Sequence, residues 1–168
     1  MVQMKGLDGA MKYFAALDKN ICQYTKSGSG PSKLVPTGEV VIGIGFLHDV
    51  VYQIVDNGYD NIGMCAPASG TSYEIGATAI FRGAVNEENA KKFIEFALSP
   101  ECVNLAQENG SYQFLVIDNA KPVTAAINAG LDKIETIVYD FEDAKVNGPT
   151  YYKKFFEVIA NDNRVKTE

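Results

Sequence analysis

The sequence predicts an α/β protein. Two observations carry that expectation. Segments with helical apolar spacing, at 1–18, 86–98 and 151–159, alternate with apolar runs rich in β-branched and aromatic residues, at 40–47 and 73–81. A Ser/Gly loop, Ser27-Gly28-Ser29-Gly30, sits between a short β-rich stretch and a proline that suits a helix start.

The elements follow in order. Residues 1–18 read as an amphipathic helix with Met4, Met11, Phe14 and Leu17 near one face. Ile21–Tyr24 reads as a short strand. Pro31 opens a helix that Pro36 and Gly38 stop. Val40–Leu47 is almost continuously apolar, which suits a strand covered on both faces, ending at His48-Asp49. Val50–Asn57 reads as a helix, with Gly58 as its C-cap. Ile62–Ala66 and Tyr73–Phe81 read as strands, with a turn or linker at 67–71. Asn86 can cap a helix to Leu98, with Glu87 and Glu88 at its positive end. Ser99-Pro100-Glu101 opens a second helix, running to about Asn109. Tyr112–Ile117 reads as extended. Ile137–Phe141 reads as strand or irregular, Tyr151–Ile159 as the last helix, and 161–168 as a frayed polar tail.

Composition narrows the function. The 168 residues are 46% apolar, enough for a packed core. A net charge of −6 without a basic run argues against nucleic acid. No apolar run has the length of a membrane span, and the first residues lack the pattern of an export signal. A chain that opens almost inside a helix reads as a piece of something longer. Cys22, Cys65 and Cys102 form no CxxC pair and read as three small buried side chains; no metal site or cofactor is expected.

Candidate binding residues follow from the loop and the expected strand ends. Ser27, Gly28 and Ser29 could offer hydroxyl and N–H donors, or form a plain capping turn. His48 and Asp49 would stand at a sheet edge, where α/β proteins bind ligands, although Asp49 also suits the cap of a helix from Val50. Asp49 and Glu74 could also be read as a hydrolytic carboxylate pair with His48 as base. No nucleophile elbow or Walker loop accompanies them, and GIGFLH lacks the third glycine of a dinucleotide loop, so no enzyme is expected.

Four motifs in succession, YTKSGSGPSKLV, TGEVVIGIGFLHD, PASGTSYEIGATAI and RGAVNEENAKKFIEFALSPE, resemble solute-binding proteins of ABC importers over about residues 1–155. The last motif is shared by binders of ferric iron, polyamines, phosphonates and sugar phosphates. The GIGFLHD and GTSYEIG pair resembles the hexose-phosphate branch. The resemblance implies a type II periplasmic-binding-protein fold, here its C-terminal portion, with mixed sheets flanked by helices. Residues 1–67 would belong to the second lobe, 68–74 to a hinge crossing, and 75–168 to the returning part of the first lobe. It implies that His48, Asp49 and Glu74 hold sugar hydroxyls and that an ABC permease is the partner. The address would be extracytoplasmic, periplasmic or as a cell-surface lipoprotein. The alternatives are ferric-iron capture, for which Tyr151-Tyr152 is a poorly placed tyrosine pair, and a non-binding fragment that dimerises through exposed strand edges.

Overall fold

A computed structural model describes residues 1–159 and divides the chain into two compact units. The expected frayed tail at 161–168 lies outside the described residues. One unit comprises Met1–Gly30 with the chain from Ile137 onward; the other is Pro31–Thr136.

The first unit packs α1 (Val2–Asp18) against a long C-terminal helix at Phe141–Val158. Gly6, at φ 67° and ψ 169°, breaks the helical run of α1 one turn in. Ala10 is fully buried, and Phe14 meets Phe155 edge-on at 5.0 Å. The C-terminal helix starts ten residues earlier than the expected helix at Tyr151–Ile159. Pro149 removes one helical N–H, but side chains hold the turns on either side of it. Asp140 caps the start, accepting from the Asp143 N–H at 2.9 Å. Asp143 Oδ1 accepts from Asn147 Nδ2 and from the Tyr151 hydroxyl, both at 2.8 Å, and so spans the proline. Gln3 locks the same end: its amide donates to the Asp140 carbonyl at 2.8 Å and accepts from the Asp140 N–H at 2.9 Å.

The second unit holds α2 (Gly30–Leu34, whose first residue belongs to the other unit), α3 (Leu47–Val55), α4 (Glu87–Ala97), α5 (Pro100–Glu108) and α6 (Thr124–Asn128); α7 is then the C-terminal helix already described. Its core is Val51, Tyr112, Val123 and Ala126, with Met64, Leu115 and Leu131 against it. Val51 is the core-facing residue of α3, and Ala126 brings α6 to it. The α4–α5 corner forms as its sequence dictates. Ser99 accepts from the Cys102 N–H at 3.2 Å, and Pro100 occupies the first turn, where an N–H is not needed. Asn86 stands at the N-cap of α4 but its side chain makes no capping bond.

The α/β expectation is overturned. Among the described residues there is no sheet; the pairing is of isolated bridges, such as the parallel one between Thr71 and Thr136. The expected strands at 62–66 and 73–81 are irregular chain, that at 21–24 has only an isolated bridge position at Tyr24, and that at 40–47 is irregular up to Phe46, Leu47 being the first residue of α3. The type II mixed-sheet architecture is therefore not the fold observed. A strand exists only through a neighbour that accepts its ladder, and β-propensity measures how well side chains pack once that neighbour is there. Without one, Val41, Ile42 and Ile44 stay 93%, 81% and 66% exposed, where a doubly covered strand would bury them. The three cysteines also differ from expectation: all are free, Cys22 and Cys65 exposed and Cys102 half-buried.

Candidate functional site

His48 and Asp49 do not end a strand. They occupy the first turn of α3, whose N-cap is Phe46 and whose apolar residue Val51 is pinned in the core. The helix starts there because Phe46 is extended and the Asp49 N–H reaches back to the Phe46 carbonyl at 3.2 Å. Asp49 is thus not the cap. It is a first-turn carboxylate at the positive end of the helix, where negative charge is favoured.

The two side chains converge. His48 Nε2 stands 3.7 Å from Asp49 Oδ1, with both side chains about one-quarter exposed. The Phe46 ring stacks on the imidazole at 5.4 Å and 21°. Gln113, from the irregular stretch before the half-buried Leu115 that packs against the core, brings its Nε2 to 3.1 Å from His48 Nε2. The result is a small surface group: one imidazole backed by an aromatic ring, one carboxylate and one amide. Such a set can exchange hydrogen bonds with a polar ligand. Gln113 was missed because it lies 65 positions from His48 and carries no motif of its own.

The remaining sequence candidates are not joined to this group. Glu74 is exposed on irregular chain, and no hydrogen bond or ion pair links it to His48 or Asp49 among the described residues. Ser27, Gly28 and Ser29 lie in the first unit as a tight turn. There the Ser27 and Ser29 hydroxyls pair at 3.0 Å, Thr25 donates to the Ser27 carbonyl at 2.9 Å, and the Gly30 N–H bonds the same carbonyl at 3.1 Å. A side chain at Gly30 would meet Thr25 at 2.9 Å, so the turn requires glycine there. The loop therefore spends much of its polar capacity on itself.

Two other features contrast with the histidine group. In the first unit, a hollow of about 350 Å³ is lined by Met11, Phe14, Tyr151 and Phe155 and contains none of the expected site residues. Its apolar wall suits helix packing rather than a polar ligand. In the second unit, the Tyr112 hydroxyl donates to Asp56 Oδ2 at 2.5 Å. That bond to a carboxylate, then burial, pushes the phenol up to about 12. Tyr112 is a core residue, Asp56 is exposed, and their bond closes the C-terminal end of α3. Tyr151 and Tyr152 are structural too: Tyr151 bonds Asp143, and Tyr152 packs on Phe156 at 4.6 Å. No group of three metal-ligating side chains occurs among the described residues. No helix there is long and apolar enough to cross a membrane.

A family profile described as bacterial extracellular solute-binding protein matches residues 2–115. An uncharacterized protein of Haemophilus influenzae is 39% identical over 142 residues. That alignment covers 84% of this chain and 40% of the relative, so the chain spans well under half of the relative's length.

Proposed function

The chain belongs to the bacterial extracellular solute-binding proteins, and from that premise we propose that it captures a small polar ligand for an ABC permease outside the cytoplasmic membrane. The observation that carries the reading is the convergence of His48 and Asp49 at the start of α3, backed by Phe46. The pair is anchored through Val51 yet remains partly open to solvent, as a binding group must be. A sugar phosphate is the proposed ligand. Its hydroxyls both donate and accept, which matches an imidazole beside a carboxylate, while a carboxylate repels phosphate. Asp49 would therefore hold the sugar end. Glu74 is proposed as an additional sugar contact, and the Ser27–Ser29 turn as a separate donor group for an anion. The assignment of 1–67 and 75–168 to different lobes, with a crossing at 68–74, belongs to the same proposal. The role is binding, not catalysis.

The test is a thermal-shift screen with hexose phosphates, free hexoses, phosphonates, polyamines and ferric citrate. A ligand at a hundred times its Kd stabilises by about 2.7 kcal/mol. Hexose phosphates should raise the melting temperature of the wild type but not of Asp49→Ala, which should itself fold normally. An unchanged shift in Asp49→Ala overturns the site. A response to ferric citrate alone overturns the ligand.

A second reading is self-association through 40–46, favoured by the exposure of Val41, Ile42 and Ile44. Uncharged β-formers without partners are a template for pairing with another chain. A ligand-independent dimer on size exclusion that Ile42→Lys dissolves would support it; a monomer would dismiss it.

A further inference from the structure

Gln113 meets His48 from a distant part of the chain. Gln113 Nε2 lies 3.1 Å from His48 Nε2. An amide nitrogen only donates, so this bond requires His48 Nε2 to be the bare nitrogen of the ring. A neutral imidazole must then carry its proton on Nδ1. Among the described residues Nδ1 has no hydrogen-bond partner, because the polar contacts of the ring fall on Nε2. The stacked Phe46 holds the ring plane. Asp49 pulls the other way, since a carboxylate near Nε2 favours a proton there. At 3.7 Å it is beyond hydrogen-bond reach, and the contact with Gln113 is the shorter by 0.6 Å.

We infer that Gln113 is a positioning residue that holds His48 in the Nδ1–H tautomer. The group then offers a ligand one N–H donor, at Nδ1, and one separate acceptor, the Asp49 carboxylate, which lies 3.7 Å from the other ring nitrogen. That pair suits a ligand with several hydroxyls, one accepting from Nδ1–H and another donating to the carboxylate. A group that only accepts can use Nδ1–H but not the Asp49 carboxylate, and an anionic one is repelled by it. The preference for a hydroxyl rests on the binding role proposed above; the tautomer does not.

His48 is the sole histidine, so the ring can be read without assignment ambiguity. The experiment is long-range ¹H–¹⁵N NMR of the uniformly ¹⁵N-labelled chain at pH 8.5. The wild type should show Nδ1 protonated and Nε2 bare. Gln113→Leu removes the donor and should move the ring toward the Nε2–H form that a free histidine side chain favours. Gln113→Glu places an acceptor there and should drive it further the same way. A wild-type ring protonated on Nε2, with the amide turned over so that its oxygen accepts, overturns the inference. So does a tautomer ratio that neither substitution changes. The wild-type spectrum decides the tautomer even if a variant fails to fold. No ligand is used, so a wrong tautomer leaves solute capture standing. An Nδ1–H ring in a chain that responds to no solute overturns capture alone.

Discussion

Replacing Tyr112 with Phe isolates one polar contact in the core of the second unit. The Tyr112 side chain is 6% exposed and packs with Val51, Val123 and Ala126, and Phe preserves that ring. What disappears is the hydroxyl donating to Asp56 Oδ2 at 2.5 Å. A hydrogen bond to a charged group contributes roughly 1.5–3 kcal/mol. Asp56 is exposed and regains water when the hydroxyl is gone, so the expected loss lies at the lower end, about 1–2 kcal/mol. Urea unfolding at pH 7, followed by tyrosine fluorescence and by circular dichroism, measures it. The pH dependence supplies an independent check. The folded phenol titrates near 12, above the value near 10 of an unfolded tyrosine. The folded state therefore holds the proton more tightly, and this stabilisation is complete below about pH 10. It fades as pH rises toward 12. The gap between wild type and Tyr112→Phe should accordingly be constant from pH 7 to about 9.5 and narrow above 10. Equal urea midpoints at pH 7, or a Tyr112 phenol that titrates at the ordinary value, would refute the reasoning.

Three further outcomes follow from local geometry. Ser99→Ala removes the cap of α5 and should cost about 1 kcal/mol, read as a lowered melting temperature. Gly110→Ala should cost about 1–3 kcal/mol, because φ is +78° and the new methyl would lie 2.7 Å from the Tyr52 ring. Asp143→Asn should weaken the protein at pH 7. Hydrogen bonds from Asn147 and Tyr151 hold the Asp143 carboxyl below its usual value, so its contribution is present above the ordinary carboxylate range. It is lost as pH falls through the depressed value, and the variant should converge on the wild type in acid unfolding curves.

The histidine group shows where sequence reasoning carried and where it stopped. His48 and Asp49 were legible because a lone histidine beside an aspartate, after an apolar run and before a helical pattern, marks a junction. Their adjacency survives in the structure, but the element does not: the apolar run is no strand, and the junction is a helix start at Phe46. Gln113 could not be read at all, since the Leu115 contact that brings its segment near α3 is made against the core and not along the chain.

The same division runs through the fold. Local chemistry alone determined the α4–α5 corner, because Ser99 and Pro100 act within one turn of the chain, and the start and stop of α2, because Pro31 and Gly38 do. Tertiary structure decided what depends on distant partners. Pro149 sits inside a helix because Asp143, Asn147, Tyr151 and Gln3 hold its flanks. The runs at 40–47 and 73–81 have β-forming side chains but no sheet, because a helix satisfies its hydrogen bonds from its own neighbours and a strand must borrow them from another segment.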